Sequence, residues 1–176
     1  IARLNAAPNR DPFVVSERFE RVLRQALDVA SRTGGAFDPT IGPLLRLYRQ
    51  ARDDPGRRLD PAALDAARAR VDYRRVSLRD GAVVRDGDGI ELDLDGIVAG
   101  ACVDEIARRL DALGVPAFYL DVTAEVFCRG EKAPGVPWRI GVADPRAGPL
   151  GQVPITALPL RDRALCTSGD YRNAFE

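Results

Sequence analysis

The sequence predicts an α+β fold, a mixed and largely antiparallel sheet packed with helices, and three observations carry that prediction. Residues 16–35 carry one apolar face at helical spacing. Val76 and Leu78, then Val83 and Val84, flank Asp80-Gly81, a strong hairpin signal. Trp138, Ile140 and Val142 alternate with Arg139 and Gly141, the period of a half-buried strand. Hairpins mixed with helices argue against a doubly wound parallel sheet.

The elements follow in order. Ser16 is the N-cap of a helix whose Phe19, Val22, Leu23, Ala26, Leu27 and Ala30 face inward and which ends near Gly34-Gly35. Gly42-Pro43 opens a short helix through Leu44, Leu45, Leu47 and Tyr48. Asp60-Pro61 opens another, with Leu64, Ala67 and Val71 inward; each has Pro at the first helical position. Residues 51–58 between them read as a polar surface loop. After the hairpin, residues 86–89 turn the chain into a strand in which Ile90, Leu92 and Leu94 alternate with Glu91 and Asp93. Gly96 to Gly100 then make a turn. A helix beginning near Ala101 follows, its apolar side formed by Cys102, Val103, Ile106, Ala107, Leu110 and Leu113, with Gly114 as C-terminal cap. Phe118 to Cys128 makes one or two strands. After a turn at Asp144-Pro145, Val153 to Leu160 is a strand that Pro154 and Pro159 confine to an edge.

Composition bounds the function. The chain has 176 residues, 45% of them hydrophobic, enough for one domain with a real core. Basic and acidic residues balance at 26 each, which disfavours a nucleic-acid or anionic-membrane partner. The chain contains no histidine, the usual general base and commonest metal ligand, so a metal held here takes oxygen donors. Cys102, Cys128 and Cys166 are widely spaced in apolar runs and read as small core residues. No apolar run is long enough to span a bilayer, and no signal peptide opens the chain. The absent initiator Met and the abrupt end at Glu176 give the expectation of a fragment lacking both native ends.

Four segments carry possible chemistry. In Asp93-Leu94-Asp95-Gly96-Ile97-Val98-Ala99-Gly100, a strand ends in carboxylates and turns on glycines into a helix. The unpaired N–H groups and positive dipole end of such a helix suit a phosphate, and the acids suit a metal. An ordinary strand-to-helix turn has the same spacing. Thr33 to Pro43 is dense in turn residues and brings Asp38 and Thr40 to a helix start, where ribose or amide edges are read; a well-capped interhelical turn is the alternative. Leu120-Asp121-Val122-Thr123-Ala124-Glu125 places two acids in a strand and fits a solvated face. Thr167-Ser168-Gly169-Asp170-Tyr171 offers hydroxyls and backbone N–H groups to a phosphate or an isoalloxazine ring.

In this order, together with Leu4-Asn5 and Pro137-Trp138-Arg139-Ile140-Gly141-Val142, these segments resemble the ApbE family of FAD:protein FMN transferases over essentially the whole chain. The resemblance implies a single T-fold-like domain over residues 1–176, incomplete at both ends. It implies a magnesium-dependent enzyme that binds FAD, cleaves its diphosphate and transfers FMN to a Thr hydroxyl of a partner flavoprotein, leaving AMP. Carried over, Ala36, Phe37, Asp38 and Asp93 contact FAD, position 99 is a cofactor-binding position, and the carbonyl of Gly96 is a magnesium ligand. The family is bacterial and often periplasmic or lipid-anchored to the inner membrane.

The departures from the family pattern are local. Ala99 stands where the family usually has Lys, and Asp95 where Gly or Ser is common. The Asn-x-Gly-Gly-Asp segment is Asp121 to Glu125 here, with Thr123 and Ala124 in place of the glycines, and Ala174 replaces an aromatic residue. The His-x-x-Asp-Pro segment and the metal-binding Asp and Thr have no counterpart in this chain, so no catalytic residue is assigned. These departures keep open a second function class, a degenerate FAD- or nucleotide-binding or scaffold protein without transfer.

Overall fold

A computed structural model describes residues 1–54, 58–144, 146 and 153–169. The chain divides into two compact units, Ile1–Ile97 and Val98–Glu176.

The first unit opens with a short helix α1 (Ala2–Ala6) and a short strand β1 (Phe13–Val14), neither of which the hydrophobic pattern marks. Helix α2 (Glu17–Arg32) begins where Ser16 accepts the Phe19 amide at 3.3 Å. It ends in a Schellman pair: Gly34 donates to Ser31 O and Gly35 to Ala30 O, at 3.2 and 2.9 Å. Gly34 adopts φ +61°, a conformation that glycine reaches without strain. Leu23, Ala26 and Ala30 form the buried stripe of α2, as the periodicity requires. Helices α3 (Gly42–Asp53) and α4 (Pro61–Arg68) start at the expected prolines. Helix α3 runs into the segment read as a loop, and the middle of that loop, 55–57, lies outside the described residues.

A 3₁₀ turn (Tyr73–Arg75) leads into β2 (Val76–Arg79) and β3 (Ala82–Arg85), paired antiparallel with Arg79 opposite Ala82 across Asp80-Gly81. Strand β1 completes a sheet of order β1-β3-β2. Leu4, Leu23, Ala26, Val76, Val83, Ile90, Leu92 and Leu94 form the core.

The segment 90–94 is not a sheet strand. Among the described residues its one bridge is a parallel contact between Glu91 and Ile41. Its alternation survives because the Asn5 amide acts as a strand partner, donating to Leu92 O at 2.8 Å and accepting from Leu92 N at 2.9 Å. Nor is Gly96 to Gly100 a turn, because helix α5 (Asp95–Ala112) starts six residues before Ala101. The Asp93 carboxylate caps that start by accepting the Asp95 amide at 3.0 Å, which gives the helix a nucleus despite two glycines.

The remainder of α5 belongs to the second unit. Val103 and Ala107 are buried, but Cys102, Ile106 and Leu113 of the expected apolar stripe are exposed. Gly114 closes the helix at φ +74°, with Val115 donating back to Leu110 O at 3.1 Å. Strands β4 (Phe118–Val122) and β5 (Glu125–Arg129) form a hairpin, and β8 (Arg163–Cys166) pairs with β5 in a sheet of order β4-β5-β8. Strands β6 (Trp138–Ala143) and β7 (Pro154–Leu160) form a separate antiparallel pair; among the described residues β7 has no second neighbour, as its prolines predict. Val126, Cys128 and Leu160 form the small core, with Trp138, Ile140 and Leu165 against it. Cys128 is thus the core cysteine, whereas Cys102 and Cys166 are exposed. Antiparallel pairing in every sheet, interleaved with helices, makes the fold α+β. Among the described residues no helix is long and apolar enough to cross a membrane.

The β4–β5 turn gives a stability prediction. Val122 pairs with Glu125, leaving Thr123 and Ala124 in a two-residue turn at φ +53° and +70°. Left-handed backbone costs an L-residue about 1–2 kcal/mol, and β-branched Thr tolerates it least, whereas the hairpin at Asp80-Gly81 has suitable turn residues. Thr123→Gly should therefore raise stability by about 1 kcal/mol, read as a higher urea midpoint at unchanged slope. A lower midpoint would mean that the Thr side chain contributes more than its strain costs.

Candidate functional site

The first unit brings two of the singled-out segments side by side. In the 33–42 segment, the Thr33 hydroxyl accepts the Phe37 amide at 3.2 Å, folding the chain back after α2. One oxygen of Asp38 then accepts both the amide and the hydroxyl of Thr40, at 2.8 and 2.6 Å. Its other oxygen accepts the Tyr73 amide at 3.0 Å, and the fully buried Thr40 hydroxyl accepts the Asp72 amide at 2.8 Å. Arg74, hydrogen-bonded to Asp72, holds the Asp72 carboxyl below the usual carboxylate range. Asp38 is therefore the organiser of this loop.

The second segment pairs antiparallel with no strand among the described residues but is held on several sides. Asp93 N donates to Pro39 O at 2.8 Å, and Glu91 bridges Ile41. Gly42 makes the close approach possible, since a Cβ there would stand 3.0 Å from Glu91 O. At the start of α5, a Cβ on Gly96 would stand 3.2 Å from the Phe37 ring. Phe37, Asp38, Asp93 and Gly96 thus belong to one locality, with Ala36 exposed beside Phe37. Ala99 lies in the second unit, four residues after Asp95 along α5.

Helix α3 adds residues that the sequence reading did not single out. Arg46 pairs with Glu91, and Arg49 Nη2 lies 3.0 Å from Asp95 and 3.7 Å from Asp93. Arg46, Arg49, Glu91 and Asp93, together with Asn5, Gly42, Gln50, Asp53 and Leu92, line a groove of about 310 Å³. The three-residue spacing of Arg46 and Arg49 puts both on one helix face, but only the fold shows that this face meets Glu91 to Asp95. Asn5 was part of the recognised pattern, yet its grip on Leu92 is visible only in three dimensions.

The other expected segments belong to the second unit. Asp121 belongs to β4, where it accepts from the Tyr119 hydroxyl at 3.0 Å and the Ala124 amide at 3.1 Å, a local turn network. Cys166 sits opposite Glu125, whose carboxylate, with desolvation, pushes the thiol above its usual range, the reverse of an activated nucleophile. Thr167 to Gly169 are exposed, and Asp170, Tyr171 and Ala174 lie outside the described residues, as does Pro145. Among the described residues no three His, Cys, Asp or Glu side chains converge as a metal site.

Chemically, the groove combines carboxylates with planar guanidinium donors, and Asp93 leads from it into the start of α5, beside which the Phe37 ring lies. Such a set suits a nucleotide better than an apolar ligand.

The ApbE family model matches residues 1–176. A FAD:protein FMN transferase of Treponema pallidum is 32% identical over 191 residues, covering 100% of this chain and 52% of the relative. One from Vibrio cholerae is 31% identical over 181 residues, again covering 100% of this chain and 52% of the relative. The chain spans about half the length of the curated relatives it matches. Among solved structures, the flavin transferase ApbE from Vibrio cholerae aligns at TM-score 0.81 and 29% identity, over 98% of this chain and 55% of that one. The ApbE protein of Thermotoga maritima aligns at TM-score 0.84 and 29% identity, over 97% of this chain and 54% of that one. The family model thus matches the chain from its first residue to its last, and the chain belongs to the ApbE family.

Proposed function

We propose that the protein carrying this chain binds FAD and, with magnesium, transfers its FMN half to a Thr hydroxyl of an acceptor flavoprotein. The Thr oxygen forms a new ester bond to the flavin-side phosphorus, the diphosphate P–O bond breaks, and AMP leaves. The observation that carries this reading is the convergence of Phe37, Asp93 and Gly96 at the start of α5, in a chain whose relatives are named FAD:protein FMN transferases. Phe37 supplies an aromatic surface, Ala36 leaves open space beside it, and Asp38 fixes the loop that presents both. The Gly96 carbonyl, the ligand that the resemblance implies, and the Asp93 carboxylate are oxygen donors of the kind a hard cation such as magnesium prefers, and Asp95, paired with Arg49, adds a further negative charge beside them. A cation bound there would offset the charge of the diphosphate against these acids.

The binding half of the proposal predicts that FAD affinity depends on the divalent cation. Titrating FAD by fluorescence should give tight binding with magnesium and weak binding in excess EDTA. Equal affinity in both buffers would remove the metal-bridged arrangement. The transfer half is read by flavin fluorescence that stays with a Thr-bearing acceptor after denaturation.

A second reading has its own support. Ala99 brings no amine to α5, and Thr123 and Ala124 fill a turn that glycines occupy in the family pattern. On that reading the protein holds FAD or another nucleotide without passing FMN on. Cation-dependent FAD binding with no flavin on the acceptor is its signature.

A further inference from the structure

We propose that Arg49 is this chain's own contact to the diphosphate of FAD, a direct ligand contributed by α3; the inference rests on the FAD-binding reading above. Arg49 lines the groove, and its side chain is 48% exposed there. Only its Nη2 is spent, on Asp95 at 3.0 Å and on Asp93 at 3.7 Å. Among the described residues Nη1 and Nε have no acceptor, so three N–H donors in fixed planar geometry remain. That geometry matches the oxygens of a phosphate, to which a guanidinium binds through two parallel hydrogen bonds.

Position and charge agree. The two carboxylates that hold Arg49 flank the start of α5, and Asp93 also caps that helix, so the guanidinium is fixed beside a helix N-terminus, where anions are favoured. The groove walls carry Asp53, Glu91 and Asp93 against Arg46 and Arg49. Arg46 pairs with Glu91, whereas Arg49 is the groove cation held against Asp93 and Asp95, at the start of α5. A dianionic diphosphate entering an acidic groove depends on such a group. Asp95 then serves as the anchor that presents Arg49, an arrangement consistent with α5 lacking a basic side chain at position 99.

The test compares four forms of the protein that carries this chain: wild type, Arg49→Gln, Arg49→Lys and the double variant Arg49→Gln with Asp95→Asn. FAD, ADP and riboflavin are titrated against each in magnesium buffer, with urea unfolding as the fold control. Arg49→Gln should weaken FAD and ADP about tenfold and leave riboflavin, which has no phosphate, unchanged. Arg49→Lys should fall between, because it keeps the charge and loses the fork. The double variant separates contact from neutralisation, since it removes one positive and one negative charge together. A double variant as weak as Arg49→Gln supports the contact; recovery to wild-type affinity would show that Arg49 merely neutralises Asp95 and would overturn it. Equal loss for riboflavin would overturn it as well. Wild-type protein that binds no FAD would instead refute the function proposed above, a result distinct from either.

Discussion

Arg85→Ala should cost about 3–5 kcal/mol of stability, the largest single loss expected in the first unit. Arg85 is 2% exposed, at the end of β3. Its guanidinium donates to Ile90 O at 3.0 Å and to Ala7 O at 2.8 Å, with Pro8 O at 3.5 Å. No carboxylate pairs with it among the described residues, and burial pushes its pKa down from the usual arginine value. A buried cation without a counter-ion persists only where carbonyl oxygens replace its water, and here three do so. Truncation would leave Ala7 and Ile90 carbonyls unpaired and open a cavity the size of the lost chain. It would also free the end of α1, two residues after the Asn5 that brackets Leu92. Urea unfolding gives the stability change, and amide hydrogen exchange at Leu92, whose N–H is held by Asn5, gives the local one. Arg85→Met should lose less, because it fills the space while still leaving the carbonyls unpaired. Wild-type exchange at Leu92 in either variant would separate Arg85 from the site.

Arg85 also illustrates which features the sequence conceals. In Ala82-Val83-Val84-Arg85 the period of two directs Val83 and Arg85 to the same side, yet a charged residue at a strand end reads as solvated. The interior becomes suitable only because two helix-end carbonyls and Ile90 O converge on it, contacts 5 to 78 residues distant. Local rules succeeded where local chemistry decides: the Ser16 cap and Gly34-Gly35 end of α2, the Pro-led starts of α3 and α4, and the Asp80-Gly81 hairpin are all fixed by neighbours in sequence. They failed at Gly96 to Gly100, where poor helix formers suggested a turn. The Asp93 cap supplies a start, and the bare Gly96 leaves room for the Phe37 ring, so the helix tolerates both glycines. The alternation in 90–94 was legible, but its partner is a side chain and a loop rather than a sheet. At the candidate site the backbone segments were therefore visible in the sequence, while the α3 arginines that complete the groove were not, since nothing along the chain links Arg49 to Asp95 across 46 residues.

Replacing Asp38 should uncouple the 33–42 loop, and the Asn and Ala variants should differ in a way that identifies its role. The carboxylate accepts three hydrogen bonds, two on one oxygen from Thr40 and one on the other from Tyr73 N. Hydrogen bonds to a charged group are worth about 1.5–3 kcal/mol each, and the partners include a fully buried Thr40 that would lose a partner. Asp38→Ala deletes both acceptor oxygens, and with them all three bonds, and should cost about 2–4 kcal/mol after solvent reaches the exposed part of the loop. Asp38→Asn keeps the oxygen that serves Thr40, but its amide nitrogen then faces the Tyr73 N–H, donor against donor, so about 1–2 kcal/mol should be lost. Because Pro39 O holds Asp93 N and the Phe37 ring lies over Gly96, the same loss of order should weaken FAD binding in both variants, more in Ala than in Asn. Urea midpoints and FAD titrations on the same samples would give the two orders together. Parallel orders identify Asp38 as a positioning residue that acts through the loop. An Asn variant as stable as wild type but unable to hold FAD would instead mean that the carboxylate meets the nucleotide itself, with its bonds to Thr40 and Tyr73 serving to aim it.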